Sequence, residues 1–389
     1  MKKLVLTVFG FAAFALAAQT VPDAAAFEAA VNGGWKQLMA KNWSPKTGLI
    51  YGCTPDRVQP AADFKDGLLK WCNGSPFGYG RGMGDCAIVN GVALSMLCDK
   101  HAVTKDPAAA EDAKKIAIGL LNLASAHGYK GFVARGLCQE DGKSICSLSS
   151  RDQVTHWVHG LWRYCRSGLA DGETKARFAA LLADVAEMML KNVTAENDWD
   201  FLQADGSSDP RGICKMWGAV YPHEAARLPM IYAAAWEVTG DGKWKELYER
   251  YIDEALAKTL AIKDQPPIHW HGVMPTYSLL QMNTSLEVLL GIEKNPARRS
   301  KMAEAAACAA RMADERAMDM KANPKKKYYG LCVDGEIALA QLLAPGWKYS
   351  ADERGYLAAG LSRPLAGSGA FNVSHMAAAY WRARLNGVF

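Results

Sequence analysis

Met230-Ile231-Tyr232-Ala233-Ala234-Ala235-Trp236-Glu237 runs into Val238-Thr239-Gly240-Asp241, and Trp244 to Leu260 follows. This stretch decides the fold. The first run is apolar without the period-two alternation of a strand, so it reads as a buried helix. The return run Trp244 to Leu260 reads as a second helix. The unit is an antiparallel helical hairpin.

The unit recurs along the chain. Ala93 to His101 passes through Val103-Thr104-Lys105-Asp106-Pro107 into Ala108 to Ala126. His156 to Cys165 passes through Gly168 to Glu173 into Ala176 to Leu190, and Ser285 to Leu290 passes through Glu293 to Pro296 into Lys301 to Met318. Asp106-Pro107 and Asn295-Pro296 are N-cap plus first-turn proline signals. Phe27 to Lys41, Cys332 to Leu343 and Asn372 to Asn386 bring the number of pairs to about six. One hairpin cannot bury both faces of its helices, whereas a closed ring of them can. The expected fold is all-α, an (α/α)6 or (α/α)7 toroid, with residues 18–389 as one domain.

The first residues read as an export signal. Met1-Lys2-Lys3 is basic, Leu4 to Leu16 is almost wholly apolar, and Ala15-Leu16-Ala17 is an A-x-A cleavage site. Residues 1–17 are therefore expected to be a signal peptide, and the mature chain periplasmic or secreted, with no membrane insertion after its removal. Ten cysteines in an oxidising compartment allow disulfides. Cys138/Cys146 and Cys53/Cys72, each flanking a loop, are the expected pairs, and Cys98, Cys165 and Cys308 fit buried thiols on helices. The 389 residues carry 45 Lys+Arg against 40 Asp+Glu, a net charge of +5 spread along the chain. With no basic stripe, a nucleic-acid partner is not expected. Nothing in the sequence speaks to oligomeric state.

Polar motifs cluster just before each apolar helix. Tyr79-Gly80-Arg81-Gly82-Met83-Gly84-Asp85 precedes the first, and Ser149-Ser150-Arg151-Asp152-Gln153 the second, with His156 and His159 following. Lys215-Met216-Trp217 and Tyr221-Pro222-His223-Glu224, then Arg227, precede the third; His269-Trp270-His271 and Pro275-Thr276-Tyr277 precede the fourth. The fifth has Tyr328-Tyr329 and Asp334-Gly335-Glu336, and the sixth Asn372 and His375. In a toroid these starts share one mouth. Some of these polar residues also fit plain caps, and Ser150-x-x-Gln153 matches a capping box.

The mouth so assembled is rich in arginine, histidine and aromatic residues. Arginines bind carboxylates bidentately, aromatic faces suit sugar rings, and helix N-termini favour anions. The composition points to an acidic polysaccharide. Such a polymer can be cut by β-elimination: its carboxylate is neutralised by positioned donors, a base takes the C5 proton, and an acid protonates the leaving O4. Tyr277, His223, His271 and Arg227 are the candidate catalytic residues. Arg81, Arg151, Asp152, His156, Trp217, His269 and Trp270 are the candidate substrate-binding residues. No cofactor is needed, and two histidines at i, i+2 without a nearby acidic or cysteine ligand give no metal site.

On these residues the chain resembles the (α/α)-toroid lyases that act on alginate and glucuronan, polysaccharide lyase family 38 among them. The resemblance implies a histidine on one inner helix and a catalytic tyrosine near the next, which His223 and Tyr277 match in order and separation. Pro222 stands where some of these lyases carry asparagine, and His271 lies near the place of their arginine. The chain also resembles the unsaturated uronyl hydrolases, for which Asp85 and Asp152 would be the carboxyl pair. A non-catalytic acidic-glycan-binding protein is the third reading.

Overall fold

The computed structural model describes residues 24–54, 59–69, 82–264 and 274–389. Among them are twelve α-helices: α1 (Ala24–Asn42), α2 (Cys86–Thr104), α3 (Pro107–Asn122), α4 (Arg151–Arg166), α5 (Gly172–Asn192), α6 (Arg227–Thr239), α7 (Gly242–Leu260), α8 (Thr276–Ile292), α9 (Pro296–Ala322), α10 (Val333–Leu342), α11 (Ala351–Leu361) and α12 (Ala370–Leu385). Two dipeptides, β1 (Leu68–Leu69) and β2 (Ile145–Cys146), pair in parallel. The chain is thus all-α in its described part. The signal-peptide reading lies outside the described residues.

The hairpins form where the sequence places them. Gly240 sits at φ +73° and closes α6, and Asp241 accepts from Lys243 N–H to open α7. Asp106 and Asn295 cap α3 and α9 ahead of a proline, as expected. Even- and odd-numbered helices differ in burial. In α2 fourteen of nineteen residues are buried, whereas α5 buries five of twenty-one, all on one stripe. Hence α2 is surrounded by protein and α5 faces solvent.

Packing runs in a circuit. Helix α2 meets α4, α4 meets α6, α6 meets α8, α8 meets α10, α10 meets α12, and α12 returns to α2. Each odd-numbered helix packs against one or two members of that circuit. The chain ends close it. Tyr380 on α12 donates to the Ala24 carbonyl at 3.2 Å, and Arg384 pairs with Glu28 at 2.8 Å.

Two close approaches fix the circuit near the helix starts. A Cβ on Gly91 of α2 would lie 2.3 Å from the His156 carbonyl of α4. A Cβ on Gly330 would lie 2.2 Å from Thr276 Oγ1 and 2.3 Å from Glu336 Oε2. At Gly91 the obstruction is backbone, so glycine is required there; at Gly330 the Thr276 and Glu336 side chains would have to give way.

The cysteine pairing differs from expectation. Cys146 is disulfide-bonded, but not to Cys138, which keeps its thiol, buried, with Sγ 3.5 Å from the Gln59 carbonyl. Cys72, the expected partner of Cys53, lies outside the described residues. Cys98 and Cys308 are buried thiols and Cys165 a half-buried one.

Candidate active site

The starts of α2, α4, α6, α8 and α10 are joined by polar side chains, and that layer is the candidate site. At α2, Asp85 heads the helix without capping it; its Oδ1 accepts from Arg135 at 2.8 Å and from Gln153 at 2.5 Å. The expected Ser150–Gln153 capping box is therefore not formed. Gln153 turns to Asp85, and Ser150 Oγ lies 3.3 Å from Arg135. Burial pushes the Asp85 carboxyl up, against Arg135 and Gln153.

At α4, Arg151 and Asp152 turn to different partners. Arg151 donates to Glu224 and, through its other nitrogen, to the carbonyls of Gly212 and Lys215. Asp152 accepts from Arg227. Burial works to raise Asp152, but Arg227 and Arg151 override it and hold the carboxyl below its usual range. The Asp152 side chain keeps 27% exposure.

Arg227 opens α6 and is 1% exposed. Its second nitrogen donates to Gln281 Oε1 on α8 at 2.8 Å. Gln281 follows Tyr277 by four residues, so the two side chains lie on one face of α8. That hydrogen bond ties α8, one turn after Tyr277, to the start of α6. Tyr277 itself is half-buried, and its ring meets Tyr329 edge-to-face at 6.0 Å. Thr276 donates to Glu336 of α10, whose carboxyl burial pushes up.

The histidines lie deeper. His223 is 2% exposed and stacks under Tyr221 at 5.6 Å and 8°. Its Nε2 is 3.5 Å from Glu224 Oε1, and its buried Nδ1 has no hydrogen-bond partner among the described residues. Burial lowers the His223 pKa against the pull of Glu224. His156 is also buried, with Nδ1 likewise unpartnered among the described residues. Burial, then His375 and His159, hold it well below the ordinary histidine value. His375 Nδ1 donates to the Phe371 carbonyl at 2.9 Å, and burial lowers the ring's pKa to about 4.

Several expected roles change with this geometry. Trp217 is 5% exposed, packed edge-on against Tyr251 at 4.8 Å with Lys258 Nζ 4.3 Å from its ring centroid; it offers no open face to a sugar. Arg151 and Arg227 are not spare cations for a substrate carboxylate, because each is matched to a carboxylate of the chain. Arg135 with Asp85 and Arg211 with Asp209 repeat the pattern. His156 and His223 are covered. Arg81, His269, Trp270 and His271 lie outside the described residues. Among the described candidates Tyr277, Asp152 and Arg151 are the side chains that are not fully buried, and Arg151 is taken up by Glu224. Gln281 joins the layer although the sequence motifs did not include it, its signal being the i, i+4 relation to Tyr277; the cover over His223 was signalled by Tyr221 two residues earlier. Among the described residues no three His, Cys, Asp or Glu side chains converge as a metal site.

No protein-family model and no curated protein matches this chain. Among solved structures it is similar to a sugar epimerase from a ruminal bacterium, at 13% identity over 69% of this chain and 72% of that one, with a TM-score of 0.45. A likeness that remote carries no inference about activity.

Proposed function

We propose that the circuit of even-numbered helices is the inner wall of an (α/α)6 toroid, and that the protein is an exported lyase cleaving a uronic-acid polysaccharide by β-elimination. The observation that carries the reading is the Arg227–Gln281 bond, which ties α8, one turn after the half-buried Tyr277, to the start of α6. Tyr277 takes the C5 proton and returns a proton to the departing O4. His223, beneath Tyr221, supports this wall and does not touch substrate. Because Arg135, Arg151, Arg211 and Arg227 are each matched by a carboxylate, the role of neutralising the substrate carboxylate is assigned to His271 or Arg81. The disulfide at Cys146 supports the export reading.

A second reading is favoured by the Asp85–Asp152 pair. Asp152 keeps 27% exposure at the start of α4 and is one hydrogen-bond step, through the neighbouring Gln153, from the buried Asp85, whose carboxyl burial pushes up while Arg227 and Arg151 hold Asp152 down. This is the hydrolase of the unsaturated uronyl type.

One experiment separates the two. The mature protein is incubated with alginate, glucuronan and pectate, and with their pre-cleaved unsaturated oligosaccharides, while the ultraviolet absorbance of the C4=C5 double bond is followed. A rise on polymer that Tyr277→Phe abolishes and Asp152→Asn spares supports the lyase. A fall on unsaturated oligosaccharides, abolished by Asp152→Asn and spared by Tyr277→Phe, supports the hydrolase. No change on any substrate overturns both.

A further inference from the structure

With Trp217 buried, the mouth needs other aromatic surfaces if it is to hold sugar rings. Among the described residues just two aromatic side chains are more than a third exposed: Tyr221 at 43% and Tyr329 at 45%. Both stand at the mouth, Tyr221 ahead of α6 and Tyr329 ahead of α10. Helices α6 and α10 are the two neighbours of α8 in the circuit, so the tyrosines flank the helix start that carries Tyr277. Each also packs on a nominated side chain, Tyr329 edge-to-face on Tyr277 and Tyr221 stacked on His223.

Both rings are held by their backbones. The Tyr221 N–H donates to Glu224 Oε2 at 3.0 Å, and Glu224 is itself fixed by Arg151. The Tyr329 carbonyl accepts from the Thr276 N–H at 3.0 Å, which ties it to the first turn of α8. Holding a side chain from its backbone while leaving close to half of it in water pre-orders a platform before any ligand arrives. An aromatic ring so placed offers its π surface to the C–H face of a pyranose.

We propose that Tyr221 and Tyr329 are the stacking platforms for the two sugar residues on either side of the bond that is cleaved, one at each flank of Tyr277. The assignment rests on reading the mouth as a carbohydrate site, and it places binding residues at positions distinct from the reacting group.

Calorimetric titration of the full mature chain with tetrasaccharides of mannuronate, guluronate, glucuronate and galacturonate tests it. Tyr221→Ala and Tyr329→Ala are each expected to weaken the best-bound tetrasaccharide about tenfold, and the Phe variants to stay within about twofold of wild type. Tyr→Leu at each site keeps an apolar side chain without a ring, and is expected to behave as Ala; it serves if an Ala variant fails to fold. On the matching polymer KM should rise with kcat nearly unchanged, which a structural role would not produce. Full-strength binding by the Ala and Leu variants overturns the platforms even if elimination proceeds normally. Ring-dependent binding with no change in double-bond absorbance keeps the platforms and overturns the lyase. Failure of wild type to bind any of the four overturns the platforms.

Discussion

At the scale of single residues, Arg227 shows how the mouth is held. One guanidinium, almost fully buried, joins Asp152 on α4 to Gln281 on α8. Replacing it with methionine keeps much of the volume but leaves Gln281 unsatisfied and Asp152 unpaired. Asp152 can still draw water through its exposed quarter, so Arg227→Met is expected to cost about 3 kcal/mol, the lower end for breaking a buried pair. Asp152→Leu on that background should recover part of the loss, since it removes the orphaned charge. Denaturant midpoints check this; a cost under about 0.5 kcal/mol would mean the clamp is not formed. The buried histidines make a second prediction. His375 stays neutral in the folded protein down to about pH 4, while the unfolded chain protonates it near its ordinary 6.5. Between those values the unfolded state binds more protons, so stability falls as pH drops, by at most about 1.4 kcal/mol per pH unit from this group. The raised carboxyls of Asp85 and Glu336 act in the opposite direction, so the informative quantity is a difference. His375→Asn should lose less stability than wild type between pH 6.5 and 4, and equal slopes would refute the assignment. Tyr277 was legible as a candidate because a tyrosine at the start of an apolar helix stands out in sequence. The burial of Trp217 was not, since composition does not say which aromatic faces the mouth and which packs on Tyr251 and Lys258.

At the scale of elements, the crossing of α2 and α4 sets the geometry of the wall. Gly91 and Gly160 face each other there: a Cβ on Gly160 would lie 2.8 Å from Gly91 Cα, and one on Gly91 2.3 Å from the His156 carbonyl. Gly91→Ala must push α4 away or fail to pack, and the obstruction is backbone, which does not yield by rotamer change. It is expected to cost about 2 kcal/mol, the usual range for overpacking, and to lower activity through displacement of the α4 start. Chemical denaturation together with turnover tests both; an unchanged midpoint would mean the helices are further apart than described. The hairpins themselves were legible because apolar periodicity and caps agree over long segments: Met230–Glu237 lies within α6, Trp244–Leu260 within α7, and Lys301–Met318 within α9. Helix α11 went unnoticed although its signal was present. Ser350 and Glu353 form a full capping box. The same pattern at Ser150–Gln153 forms none, because a neighbouring buried carboxylate, Asp85, competes successfully for Gln153. Local sequence cannot separate the two, since the competitor is 68 residues away.

At the scale of the whole molecule, the two ends of the circuit do different work. Toward the C-terminal ends of the inner helices, Arg163 and Arg382 each bridge Asp99 and Glu287, and His159 adds a 2.6 Å contact to Glu287. The network joins α2, α4, α8 and α12, and its two arginines balance its two carboxylates. Burial works to raise Glu287, yet Arg382, Arg163 and His159 hold it well below the usual range. Between this layer and His156 lies a cavity of about 20 Å³, room for about one water. In the proposed toroid this network lies at the end of the circuit away from the helix starts that carry Asp152 and Tyr277. Stability and activity should separate accordingly. Asp99→Asn leaves two buried guanidiniums sharing one carboxylate and is expected to cost about 3 kcal/mol, while the KM and products of the remaining folded enzyme stay those of wild type. Tyr277→Phe, a half-exposed change that preserves the ring, should do the reverse, removing turnover with the denaturation midpoint unmoved. Measuring both quantities on both variants tests the division. If Asp99→Asn alters KM at full folding, or Tyr277→Phe lowers stability by more than about 1 kcal/mol, the two ends are coupled, and the mouth cannot be treated as a site grafted onto an independent scaffold.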